Sequence, residues 1–145
     1  LMCTSEMGLA LYGNPASWNN FLCRGKITPE DESKLYSSSK ICLNLHLKEH
    51  LENGTFNLRI FNILASGGFV ISDHSEKLEK EFGDCIVFTT GHQDLKDKCN
   101  FYLDNPNETI PYRQAGLKKI NDSHTFRHRM DNLSEWLKLL LETTT

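Results

Sequence analysis

The sequence predicts an α/β fold in three layers: a parallel β-sheet between helices, closed by a long C-terminal helix. Two observations carry this prediction. Short apolar runs alternate with longer amphipathic stretches, and strands that alternate with helices imply βαβ units and parallel pairing. From His92 onward the chain reads as helix to its end. Crossovers between the strands are expected to be right-handed.

The elements follow in order. Residues 9–13 (LALYG) read as a strand ending at a glycine turn. Thr28-Pro29-Glu30-Asp31-Glu32 opens a helix, with a capping threonine, proline at the first helical position and acids in the positive first turn. Residues 41–45 (ICLNL) form a short strand, and 46–53 are expected to be a solvated loop. Residues 57–66 (NLRIFNILAS) form a helix capped by Asn57 and stopped by Gly67-Gly68. Residues 69–72 (FVIS) form a buried strand, 75–82 a charged helix and 85–88 (CIVF) another strand. In the last helix Phe126, Met130, Leu133, Trp136, Leu137 and Leu140 share one face. The expected core is Leu58, Phe61, Leu64, Phe69, Ile71, Ile86 and Phe88.

The chain has 145 residues, which fits one domain over 1–145. Net charge is −3, so no general basic field for nucleic acid is present. No apolar run approaches about 18 residues, so no membrane span is expected. The chain starts at Leu1 without a secretory signal pattern and reads as an excerpt of something longer. Five cysteines, an odd number with no CxxC, suit reduced thiols in a cytoplasmic protein.

Ligands of open α/β sheets bind beyond the carboxyl ends of the strands. The segments to inspect are 13–20, 46–57, 73–75 and 89–92. The most informative stretch is 54–68, GTFNLRIFNILASGG. A loop with glycine, threonine and an aromatic runs into a helix whose first free N–H groups, near Leu58 to Ile60, face any anion placed there. The helix dipole adds partial positive charge and Arg59 a full one. Thr55, Phe56, Asn57, Leu58 and Arg59 are thus a candidate diphosphate cradle; the alternative is an ordinary capped helix, since every helix has an N-terminus. Lys26, after Arg24-Gly25, is either a phosphate-binding cation or a surface lysine. Asp73-His74 either touches a ligand or caps the following helix, and the cap is preferred.

This stretch resembles the C-terminal, nucleotide-sugar-binding half of GT-B glycosyltransferases. In the group 1 branch (glycosyl transferases group 1) the pattern is Glu-Gly-Phe-Gly, four residues, then Glu-Ala-Met-Ala-x-Gly. Thr55-Phe56-Asn57 takes the Gly-Phe-Gly place, and Ala65-Ser66-Gly67 ends the match. It is more closely similar to the spore-maturation-protein CgeB-like glycosyltransferases, in the run Arg59-Ile60-Phe61-Asn62-Ile63-Leu64-Ala65-Ser66-Gly67-Gly68. Gly25-Lys26-Ile27 with 30–37, the strand Ser39-Lys40-Ile41-Cys42-Leu43-Asn44-Leu45-His46, and His124-Thr125 with Arg129 resemble further family segments. The resemblance covers about residues 11 to 137.

The resemblance implies a Rossmann-like domain, one half of a GT-B fold. Its partner would be an N-terminal acceptor domain of the same full-length protein, and its ligand a nucleotide diphosphate sugar. It implies no metal cofactor. The donor-binding residues carried over are Lys26, His46, Thr55, Phe56, Asn57, Leu58, Arg59, Asn62 and Gly67, and no catalytic residue is assigned. Two family acids are replaced: Asn62 stands where an acid accepts from the ribose, and Gly54 where an acid contacts the donor sugar. One alternative is therefore a non-catalytic domain that has lost donor binding. A second is a zinc hydrolase, because His46-Leu47-Lys48-Glu49-His50 is HxxEH. That motif directly follows a strand, where the one-turn spacing of a helix is not expected, and no third ligand is placed by a downstream motif. His124 and His128 read as a polar helix face.

Overall fold

The computed structural model describes residues 7–14, 16 and 23–143. Its sheet holds three parallel strands in the order β1 (Cys42–Asn44), β2 (Val70–Asp73), β3 (Val87–Thr89). Asn44 lies level with Ser72, and Asp73 with Thr89, so the carboxyl ends form one edge. The helices are α1 (Pro29–Ser38), α2 (Lys48–Asn53), α3 (Leu58–Ala65), α4 (Glu76–Phe82), α5 (His92–Asp104), α6 (Ile110–Ser123) and α7 (Phe126–Thr143).

The three-layer expectation holds. Side chains alternate across a strand, and the two faces fill two separate cores. Cys42, Val70 and Ile86 meet Ile60, Ile63 and Leu64 of α3, Leu78 and Phe82 of α4, and Ile120 of α6. Phe69, Ile71 and Val87 meet Leu95 and Cys99 of α5. Cys42, Cys85 and Cys99 are buried, and burial pushes the Cys42 thiol up to about 11.

Three local expectations are corrected. Residues 9–13 are not a strand of this sheet: among the described residues they contribute one parallel bridge, Leu11 with Cys23. Residues 48–53 are a short helix rather than a loop, because Gly54 adopts the left-handed φ of +58° that ends it. Leu58 is 67% exposed rather than in the core. The buried stripe of α3 is Ile60, Ile63 and Leu64, and Leu58 lies off it. The shared apolar face of α7 is not part of either core: Phe126 is 86% exposed and no residue of the helix is buried.

Two helix ends show why the sequence stops where it does. Thr28 accepts the Asp31 N–H with its hydroxyl oxygen, as expected for the cap of α1. At the other end of α3, Gly67 takes a φ of +70°. Its N–H donates to Leu64 O and the Gly68 N–H donates to Ile63 O, the paired bonds of a Schellman ending. A Cβ at Gly68 would lie 3.1 Å from both Tyr36 O and Ile63 O, so this position admits no side chain without moving backbone.

Arg113, on α6, ties these ends together. Its guanidinium donates to Ser37 O (3.4 Å), Gly67 O (3.0 Å), Ser39 O (2.8 Å) and Lys40 O (3.1 Å), and its Nε donates to Thr109 Oγ1 at 3.3 Å. The carbonyls at the ends of α1 and α3 have no intrahelical donors, and a cation there opposes two helix dipoles.

Removing this fork strands several carbonyls at once. Arg113→Ala is expected to lower stability by about 2–4 kcal/mol in urea unfolding. Arg113→Lys should recover less than half, because an ammonium cannot fork over four acceptors. An alanine variant as stable as the parent would refute the assignment.

Candidate functional site

The carboxyl edge gathers four pieces: the turn after β1 with His46, the loop from α2 into α3, Asp73-His74 after β2, and residues 89–92 between β3 and α5. α3 returns antiparallel to the strands, so its first turn starts at this edge. A cleft of about 480 Å³ opens here, lined by Leu45, Leu51, Leu95, Asp73, His74 and the 89–92 turn. That volume is in the range of small-molecule sites.

A polar network underlies the edge. Asp73 Oδ2 accepts the His46 backbone N–H at 2.7 Å, and Oδ1 accepts His46 Nδ1–H at 2.6 Å. The imidazole is 1% exposed and the carboxylate 19%. A donating Nδ1 leaves Nε2 as the acceptor, and Asn44 Nδ2 lies 3.5 Å from it. Asn44 Nδ2 also donates to Ser72 Oγ at 3.1 Å, and Ser72 Oγ–H donates to Asn44 O at 2.8 Å. Both His46 nitrogens therefore face protein groups. His46 also precedes α2 by two residues, so it and His50 do not share one helix. Among the described residues, no group of three or more His, Cys, Asp and Glu is placed to hold a metal ion.

The residues expected to bind a ligand fall into four places. Thr55, Asn57, Leu58 and Arg59 run together into α3, with Leu58 and Arg59 exposed in its first turn. Phe56 turns inward, edge-on to Phe82 with ring centroids 6.1 Å apart. Asn57 has the extended backbone of a cap, but its side chain accepts from no helix N–H; Asn57 Oδ1 is buried without a partner. Asn62, half-buried, lies one turn on. Gly67 is at the far end of α3, about 12 Å away at ~1.5 Å per residue, and serves the helix ending and Arg113. Lys26 is exposed, on the segment leading to α1. The His46 side chain does not open to solvent, so any part it takes passes through Asp73.

The sequence favours a capping role for Asp73, and the structure corrects this. Ser75 occupies the cap of α4, and the Asp73 carboxylate turns to His46. The sequence signal was present: an acid closing a buried strand, and a histidine just past the end of the neighbouring strand. Gly54 has its own constraint. Besides the left-handed backbone, a Cβ there would lie 2.5 Å from Lys77 Cδ.

His124 is not a free polar position either. It bonds Glu81 Oε1 at 3.0 Å and packs on Phe61 and Phe82. The Arg129 guanidinium sits 5.2 Å over the Phe61 ring. Lys119, with His124 beside it, holds the Glu81 carboxyl below its ordinary value. These residues anchor the start of α7 to the body of the domain.

Comparisons with known proteins agree with this architecture. The profile of a family described as glycosyl transferase-like matches residues 3–135. The spore protein CgeB of Bacillus subtilis (strain 168) is 28% identical over 109 residues, covering 69% of this chain and 33% of that protein. The sucrose-phosphate synthase of Thermosynechococcus elongatus superposes with a TM-score of 0.70 at 14% identity, over 97% of this chain and 33% of that one. At that identity the likeness shows the fold. The chain spans about a third of the length of both proteins.

The turn that closes the cleft depends on Asp94. Its carboxylate accepts Lys98 Nζ–H at 2.7 Å and the Thr90 N–H at 2.9 Å. Hydrogen bonds from Lys98 first, then Thr90, hold its pKa down at about 2 against an ordinary 3.8. A depressed folded pKa stabilises the fold above the unfolded value, and that contribution is lost as pH falls from about 4 to about 2. Unfolding midpoints of the parent are expected to drop over this window more steeply than those of Asp94→Asn. Parallel curves would show that the carboxylate does not hold the turn.

Proposed function

Because the chain belongs to the glycosyl transferase-like family, we propose that it is the donor-binding domain of a glycosyltransferase. In this reading it holds a nucleotide diphosphate sugar while another part of the full-length protein presents the acceptor. One observation carries the reading. The first turn of α3, with Arg59 exposed, starts at the carboxyl edge of a parallel sheet, where ligands of open α/β folds bind. The first N–H groups of a helix lack intrahelical partners, and its dipole is positive there.

The chemistry follows from charge. Breaking the bond between the sugar and the diphosphate leaves negative charge on the departing phosphate oxygen. Fixed N–H donors and a guanidinium aimed at that oxygen stabilise the transition state more than the ground state. A divalent cation is not required where such groups supply the positive charge. In this reading the base that activates the acceptor belongs to the acceptor domain of the full-length protein, so this domain alone should not turn over. Its buried reduced thiols fit a cytoplasmic protein.

A second reading, a GT-B-like domain that no longer transfers sugar, is favoured by one observation. Gly54 replaces a family acid on left-handed backbone beneath Lys77, so the contact to the donor sugar is absent and an acid there would be strained. The zinc-hydrolase reading is not favoured, since both His46 nitrogens face protein groups.

Titration of the 145-residue chain with UDP and GDP tests the donor reading. One of the two should bind. Arg59→Ala is expected to weaken binding by about 1.5–3 kcal/mol, roughly 10- to 150-fold. Asn62→Glu should strengthen it about fivefold by restoring a charged acceptor for the ribose. If neither nucleotide binds, or Arg59→Ala binds as well as the parent and Asn62→Glu changes nothing, α3 is only a structural helix.

A further inference from the structure

We infer that Asp73 is a specificity-determining acceptor for a hydroxyl group of the bound donor, with the buried His46 as its positioning residue. This rests on the donor-binding reading and adds a residue to it. The argument begins with how the carboxylate is held. A carboxylate has about four acceptor positions on its two oxygens. His46 occupies one on each oxygen, through its backbone N–H and its Nδ1–H. The Ser72 hydroxyl lies 3.2 Å from Oδ1, leaving Oδ2 with room for a further donor.

The rest of the pair is buried, while the carboxylate is 19% exposed and lines the cleft. Carboxylate and imidazole come from the ends of two adjacent strands, so the pair is fixed by the sheet rather than by a loop. The imidazole has no freedom to turn away: Asn44, itself 0% exposed, backs its far nitrogen. Two N–H donors already bond the carboxylate, so the natural third partner is the O–H of a neutral group. Leu45, Leu51 and Leu95 supply apolar wall against which the C–H face of a sugar ring can lie. Nucleotide sugars carry hydroxyls in two places, the ribose and the transferred sugar. Both offer the same chemistry to Asp73.

The test is titration of the 145-residue chain and its Asp73→Asn and His46→Gln variants with UDP, UDP-glucose, GDP and GDP-mannose. A charge-assisted hydrogen bond is roughly twice as strong as a neutral one, so Asp73→Asn is expected to weaken binding about five- to tenfold. His46→Gln should reproduce part of that loss with the same preference among ligands. A loss shared by nucleotide and nucleotide sugar assigns the contact to the ribose. A loss confined to the nucleotide sugars assigns it to the transferred sugar. If Asp73→Asn leaves all four affinities within twofold while Arg59→Ala weakens them, the donor reading stands and this inference falls. If the parent binds none of the four, the donor reading fails and this inference with it. A second measurement needs no variant: the His46 Nδ1–H resonance should shift when the parent chain is saturated with whichever nucleotide sugar it binds. An unmoved resonance in the saturated protein overturns the inference even if Asp73→Asn fails to fold.

Discussion

The domain is organised around a shortage of donors at its helix ends. α1 and α3 both stop beside the sheet, and their last carbonyls point where no helical N–H can reach. Arg113 supplies those donors from a third helix. Because the fork spans both endings, it fixes where the chain enters β1 and where it enters β2. The register of those strands follows, and with it the level at which Asn44, Ser72 and Asp73 reach the opposite edge. The site is thus set by an interaction at the other end of the sheet.

At the carboxyl edge the structure separates two kinds of charge. Positive potential is concentrated in the first turn of α3, from unpaired amides and Arg59. The negative charge of Asp73 is anchored by His46 and faces the cleft, and that of Asp94 is taken up by Lys98. On the donor-binding proposal, a ligand with an anionic group and neutral hydroxyls would find a partner of matching charge for each. That proposal needs no basic field over the whole chain, only local positive charge at one helix start.

Much of the fold was legible because strands and capped helices write themselves locally. Thr28-Pro29 before three acids, and Gly67-Gly68 after an apolar helix, each require only their neighbours to be understood. The long-range facts were not legible. Nothing near Arg113 in the sequence marks it as a clamp, since its acceptors are backbone carbonyls that any residue carries. Leu58 was misplaced because a short apolar helix offers two candidate stripes, and packing against α6 selected Ile60, Ile63 and Leu64. Asp73 was read as a cap because an acid two residues before a helix fits that role; its real partner lies 27 residues away in sequence. The helix at 48–53 was missed because its stop signal, Gly54, was read as loop composition rather than as a left-handed cap.

The exposed face of α7 has a consequence for how this domain can change. The buried residues of both cores end at Ile120, and just beyond the junction at His124 Arg129 lies over Phe61. Substitution at Leu133, Trp136 or Leu137 removes no buried contact of the domain. The folding equilibrium therefore exerts little purifying pressure on that stripe. The segment after residue 124 is a natural seam for recombination, where a helix can be lengthened, exchanged or fused without reopening the interior.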